Sequence, residues 1–198
     1  MKRILLILLL TLVAFPAIQS CKKGENDPAI SLMSRKARLI GKWELQQGTE
    51  TVLYSDGTSK IITYNGSQKT TGFPGFPSVT VVYTKQFTIN RDGTYTSSIT
   101  DDTDFYSEEG AWYFCPGNKE LDIKNKETVA FSTMRYLYAM DGGTQHEINM
   151  QGTHAVGYPY VYQIDRLTNK ELVILIDEFY GTENGSYTTK GTLTYKKM

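Results

Sequence analysis

From about Gly41 to the C-terminus the chain repeats one pattern. Short runs rich in Thr, Tyr, Val and Ile are each ended within roughly 8 to 15 residues by a turn signal. The signals are Asp56-Gly57, Asn65-Gly66, Asp92-Gly93, Asp141-Gly142-Gly143 and Asn184-Gly185, which supply the positive φ that tight hairpins need. Such spacing predicts an all-β fold whose consecutive strands are antiparallel neighbours. Eight to ten strands are expected, enough to close a barrel with a filled or ligand-sized interior, with an open sandwich as the main rival. No segment recurs at the period of a solenoid or propeller.

Alternation assigns the faces. Val79, Val81, Tyr83, Phe87 and Ile89 share one parity, continued by Tyr95 and Ile99, while Thr80, Thr84, Gln86, Thr88 and Thr96 take the other. One face is buried and one is wet. The same alternation recurs at Leu121 and Ile123, at Tyr158, Tyr160, Tyr162 and Ile164, and at Leu193 and Tyr195. Glu171 to Tyr180 is apolar on both parities from Leu172 to Ile176 and reads as a strand covered on both sides. One short N-terminal helix is expected over Ile30 to Ile40, where Ile30, Met33, Ala37 and Ile40 share a face, closing one end of the β structure. Two Phe-Pro steps stiffen the loop Thr70 to Pro77. It reads as a rigid crossover with Phe73 and Phe76 tucked against the barrel mouth, or as a lid or contact surface.

Residues 1–20 have the composition of a signal peptide: Lys2 and Arg3, an apolar run from Ile4 to Phe15, then Pro16. The run falls short of the roughly 18 to 20 residues that span a bilayer. Ile18-Gln19-Ser20-Cys21 resembles the lipobox of bacterial lipoproteins, which implies acylation at Cys21; a plain secretory leader cut near Ser20 is the alternative. Residues 21–37 then hold the lipidated cysteine, the polar tether Lys22 to Pro28 and the short helix, and residues 38–198 form the β domain. A lipid-anchored place in the cell envelope follows, with the outer membrane expected and its periplasmic or surface side open. Cys115 is then the only free thiol, so no intrachain disulfide forms. It reads as a small buried hydrophobe at a strand end.

Leu39-Ile40-Gly41-Lys42-Trp43-Glu44-Leu45 resembles the Gly-x-Trp opening of lipocalins and of the lipocalin-like domains of bacterial envelope lipoproteins. Phe87 to Tyr95 resembles the family's aromatic strand, Asp-Gly turn and returning strand; Gly110-Ala111-Trp112-Tyr113 its next Gly-x-Trp strand; Leu167 to Val173 its late hairpin before a closing strand at Tyr187 to Lys197. The resemblance implies an antiparallel lipocalin-like β-barrel, with Gly41 and Trp43 closing one end. The stretches Ser67 to Ser78 and Thr144 to Gly157 have no family counterpart.

Chemistry leaves a thinner trace. The formal charge is zero, and loss of a leader containing Lys2 and Arg3 takes the remainder to −2, so nucleic acid is not an expected partner. His146 and His154 are too far apart on a continuous strand to share an ion and read as surface histidines. Asp101, Asp102 and Asp104 lack the spacing and glycine of a calcium loop and read as solvated. Neither a metal nor a cofactor is expected. Glu108-Glu109 and Asp177-Glu178 are adjacent on strands, so each pair points to opposite faces, leaving only a cross-strand pair open. No nucleophile, zinc or phosphate-binding motif occurs, and no enzyme is expected. The positive feature is 14 Tyr, 8 Phe and 2 Trp, placed on strands where they form core, a pocket wall or an exposed platform. The expected role is non-catalytic binding of a small apolar ligand, with Tyr83, Phe87, Tyr95, Trp112, Phe114, Tyr136, Tyr138, Tyr160 and Tyr162 as candidate wall residues. A protein- or glycan-interaction module with a packed core is the alternative, its partner unidentified.

Overall fold

A computed structural model of the chain describes residues 26–28, 31, 33–149, 160–182 and 185–198. The leader, Cys21, His154 and Tyr158 lie outside the described residues. Among the described residues one helical turn, α1 (Arg35–Leu39), precedes eleven strands: β1 (Gly41–Tyr54), β2 (Ser59–Asn65), β3 (Gln68–Gly72), β4 (Val79–Ile89), β5 (Thr94–Asp101), β6 (Asp104–Phe114), β7 (Thr128–Ala139), β8 (His146–Asn149), β9 (Tyr160–Leu167), β10 (Glu171–Thr182) and β11 (Gly185–Lys197).

Every pairing is antiparallel, in the order β6-β5-β4-β3-β2-β1-β11-β10-β9-β7, and β6 returns to pair with β7. The sheet therefore closes as a ten-stranded barrel, with β8 added outside the ring on β7. The expected turns build it. Gly57, Gly66, Gly93 and Gly142 all hold positive φ between consecutive strands, and Asp92 Oδ1 fixes its turn by accepting from the Thr94 backbone N–H and hydroxyl at 3.0 and 2.7 Å. Asp101 to Asp104, expected to be solvated, contains the tight turn of the β5–β6 hairpin, with Asp102 exposed at φ 58°.

The barrel is not equally wide along its length. At one end Gly41 to Glu44 of β1 pair directly with Gln86 to Ile89 of β4. Farther along, the β2–β3 hairpin is wedged between these two strands. Its tip is held by Gly66 N–H to Gln46 O at 2.7 Å and Tyr83 N–H to Ser67 O at 2.8 Å. The stretch Ser67 to Ser78 thus contributes a strand that widens the mouth.

The narrow end is plugged. Trp43, Leu45, Ile89, Val129, Ile164, Leu167, Leu172, Leu193 and Tyr195 form its core, and α1 lies across it. Trp43 is fully enclosed and donates its indole N–H to Leu39 O at 2.8 Å. Gly41 is required here: at φ 140° a Cβ would stand 2.3 Å from Lys197 Cε, whose ammonium lies 5.1 Å over the Trp43 ring.

Several expectations need correction. The helix is five residues long, capped by Ser34, and its buried residues are Arg35, Arg38 and Leu39; the apolar face proposed for it is not the buried one, since Met33 is exposed. Residues 121 and 123 lie in a loop closed by one bridge, Asn118 to Ile123, and Leu121 is exposed. On β10 both faces are covered only near Leu172 to Ile174, and Phe179 stands in solvent. Neither Phe73 nor Phe76 tucks against the mouth: both are exposed, Phe76 at 74%. Cys115 is half-buried, not buried.

The buried arginines are explained by Asp27. Its Oδ2 accepts from Arg38 at 3.1 Å and lies 3.3 Å from Arg35, with all three side chains shielded from solvent, while Oδ1 accepts from Leu167 N–H at 2.8 Å. Arg38 also donates to Leu167 O at 2.6 Å and Arg35 to Ile164 O at 3.2 Å. Removing one partner of such a group strands the other charge out of water. Asp27→Asn is therefore expected to destabilise the fold by about 3–5 kcal/mol, read as a lowered urea midpoint at unchanged slope.

Candidate functional site

Above the plug the barrel is hollow. A lower cavity of ≈ 200 Å³ is bounded by Phe87, Ile99, Val129, Phe131, Leu172 and Ile174, with Lys85, Glu108 and Tyr95 among its polar lining. It continues into two chambers toward the mouth. One of ≈ 440 Å³ shares Lys85 and Tyr162 with it and adds Glu50, Tyr54, Tyr64, Glu178, Tyr180 and Tyr187. The other, ≈ 390 Å³, shares Ser97, Ile99 and Glu108 and adds Tyr83, Tyr106 and Tyr136. All three lie within the barrel lumen and share wall residues, apolar at the floor and polar above. A wider groove of ≈ 950 Å³ crosses the outer wall, lined by threonines and by Asp177 and Lys190.

The alternation of β4 puts Tyr83, Lys85 and Phe87 in this lumen. β1 and β7 reach it by a different route, because each carries a bulge. In β1 the register shifts between Leu45 and Gln47, so the inward residues change from Trp43 and Leu45 to Glu50, Val52 and Tyr54. In β7, Met134 is the extra residue opposite Glu109 and Gly110, and the inward row changes from Val129 and Phe131 to Tyr136. Gly110 is needed at that point, where a Cβ would fall 2.0 Å from Ser132 O.

Three lumen carboxylates are met by hydroxyls, while a fourth, Asp101, pairs with Lys69. Tyr64 donates to Glu50 at 3.3 Å, Tyr180 to Glu178 at 2.5 Å, and the Tyr95 and Thr133 hydroxyls, 2.8 Å apart, reach Glu108 at 3.3 and 3.4 Å. The rings brace one another: Tyr64 on Tyr83 at 5.0 Å, Phe87 on Tyr195 at 4.9 Å, Tyr95 on Phe131 at 4.9 Å and Tyr180 on Tyr187 at 4.8 Å. Burial raises Tyr64, Tyr95, Tyr162 and Tyr195 above the ordinary phenol range and Tyr83 to about 12, so all remain neutral donors at pH 7. At Lys85 burial opposes the ammonium, but the Tyr195, Tyr162 and Tyr83 oxygens and Glu50 outweigh it and hold the pKa well above the lysine value. Lys85 is thus a fixed positive charge in the lumen.

The candidate wall residues separate into groups. Tyr83, Phe87, Tyr95, Tyr136, Tyr160 and Tyr162 line the chambers. Trp112 and Phe114 do not: Trp112 donates to Asn90 O at 2.9 Å beneath Lys36, and Phe114 meets its edge at 5.7 Å, so both pack at the narrow end. Tyr138 stacks between Tyr136 and the exposed His146 beside the mouth. Lys85 and Glu50 were not anticipated, and Glu108 and Glu178 were anticipated only as carboxylates open to a cross-strand pair, not as lumen lining. Lys85 had a visible signal, since it occupies the buried parity between Tyr83 and Phe87; Glu178 likewise continues the row Leu172, Ile174, Ile176. Glu50 was hidden by the β1 bulge. Among the described residues no cluster of His, Cys, Asp or Glu could hold a metal ion. Compared with known families, curated proteins and solved structures, the chain matches none.

Burial is also the main cause of the raised pKa of Glu50, ahead of the opposing Lys85 charge. The folded state then holds its proton more tightly than the unfolded one, so stability falls as pH rises from the ordinary carboxyl value of 4.5 through the raised folded value. Glu50→Gln is expected to raise the melting temperature at pH 7 and to leave it unchanged below the ordinary carboxyl value, as followed by circular dichroism.

Proposed function

We propose that this chain is a lipid-anchored envelope protein whose lipocalin-like barrel holds a small, largely apolar molecule and does not transform it. The observation that supports this reading is the hollow lower lumen: an apolar floor beneath the Lys85 ammonium, the Glu108 carboxylate and a group of neutral phenols. A ligand with an apolar or aromatic body would lie on Phe87, Ile99, Phe131 and Ile174, its polar end meeting Lys85 and the tyrosine hydroxyls. The anchored part of the reading rests on the leader and on Cys21; the lipocalin-like part on the ordered motifs and on a barrel compatible with them.

The interaction-module reading draws its support from Phe73, Phe76 and Val79, which are 45%, 74% and 62% exposed around the β3–β4 loop. One experiment separates the two. Native mass spectrometry of residues 22–198, with solvent extraction, is expected to show an adduct that unfolding releases. Ser97→Trp, which fills the junction between lower cavity and mouth, is expected to lose the adduct and to weaken uptake of a hydrophobic dye by about tenfold or more. An empty wild-type protein inert to such dyes would overturn the binding reading and leave the exposed loop as the working surface.

A further inference from the structure

The two ends of the barrel differ in charge as well as in width. Around the narrow end Lys36, Lys42, Arg91, Lys124, Lys126 and Lys196 are exposed, and they outnumber the exposed acids there, Asp92, Glu120 and Asp122. At the mouth the turns carry Asp56, Asp102 and Asp141 with no Lys or Arg between residues 55 and 58, 102 and 103, or 140 and 145, and the loop 73–78 is uncharged; of the lysines lining the mouth chambers, Lys60 is half-buried and Lys69 is paired with Asp101. The protein is therefore a dipole along the barrel axis, basic at the plug and acidic at the opening.

The tether leaves from the basic end. Asp27 is clamped there by Arg35, Arg38 and Leu167 N–H, and Asn26 donates to Asp165 at 2.8 Å. From Asn26 back to Cys21 the chain can span at most on the order of 18 Å. The 14 residues of β1 run about 45 Å, or roughly 35 Å of barrel height once tilted. An anchor at Cys21 cannot reach the mouth.

We propose that the narrow end is a docking surface for anionic phospholipid headgroups, so that the lumen opens away from the membrane. This rests on the lipid-anchor reading given above. The clamp at Asp27 brings the basic face within a tether's reach of the bilayer, where opposite charge holds it down. Repulsion between the acidic mouth and the same surface disfavours the barrel lying on its side.

Both tryptophans of the chain, Trp43 and Trp112, lie at the narrow end, so their fluorescence reports its distance from lipid without added labels. The full-length protein recovered from membranes would be reconstituted into phosphatidylcholine vesicles with or without phosphatidylglycerol, each containing a lipid with a nitroxide on its headgroup. Co-flotation with both kinds of vesicle is expected, with tryptophan quenching at least about twofold stronger on the anionic ones and the excess lost in high salt. Reversing Lys42, Arg91, Lys124 and Lys196 to Glu is expected to abolish the excess while flotation persists, with an unchanged emission maximum in detergent as the check on folding. Flotation without a charge-dependent excess would overturn the docking proposal and leave the anchor intact. Failure to float would overturn the anchor reading, and the docking proposal with it.

Discussion

The pairing of β6 with β7 is the constraint on which the rest depends. Without it the chain would be an open sheet with two edges of unpaired backbone and an apolar face needing another layer to cover it. Ten antiparallel strands joined into a ring satisfy one another's N–H and C=O groups and turn that face inward. Closure leaves two openings, and the chain treats them differently. The narrow one is sealed by Trp43, α1 and the Asp27–Arg35–Arg38 group; the other is held apart by the inserted β2–β3 hairpin.

A barrel of this width can be filled or hollow, and the lining decides. Near the plug the inward residues are large and apolar and meet across the axis. Higher up they are tyrosines that lean on neighbours along the wall, as Tyr180 on Tyr187 and Tyr64 on Tyr83. The hydroxyls of Tyr64, Tyr95 and Tyr180 are occupied by Glu50, Glu108 and Glu178, which ties those three rings to the wall. Wall-to-wall bracing keeps the centre open, and a polar lining makes a hydrated opening tolerable where an apolar one would favour collapse.

Turn chemistry made most of this architecture legible. Asp-Gly and Asn-Gly steps marked hairpins where the backbone does hold positive φ, and β4 could be assigned to faces from alternation alone. The same alternation placed Tyr83, Phe87, Tyr95, Tyr136, Tyr160 and Tyr162 on the lumen wall. It could not separate them from Trp112 and Phe114, because height along a strand is set by register with distant strands. Nor could it see Asp27 meeting Arg35, Arg38 and Leu167, where one partner lies 140 residues away in sequence. The helix was misjudged for a related reason: its inward face is charged, and that is favourable only because the partnering carboxylate is buried with it.

A bulge explains why Glu50 was the least visible of the ionisable lumen residues. In β1 strict alternation from Trp43 would turn Thr49 and Thr51 inward and Glu50 outward, yet the irregularity at Leu45 to Gln47 reverses this. In β7 the extra Met134 does the same, exchanging the parity of Phe131 for that of Tyr136. Both reversals fall where the lining passes from apolar floor to polar mouth. Bulges bend strands and strengthen their twist, so the feature that lets the barrel flare above its plug also selects which side chains face the widened space. Shape and polarity of the lumen thus share one backbone cause, and a period-two reading that ignores bulges misses both together.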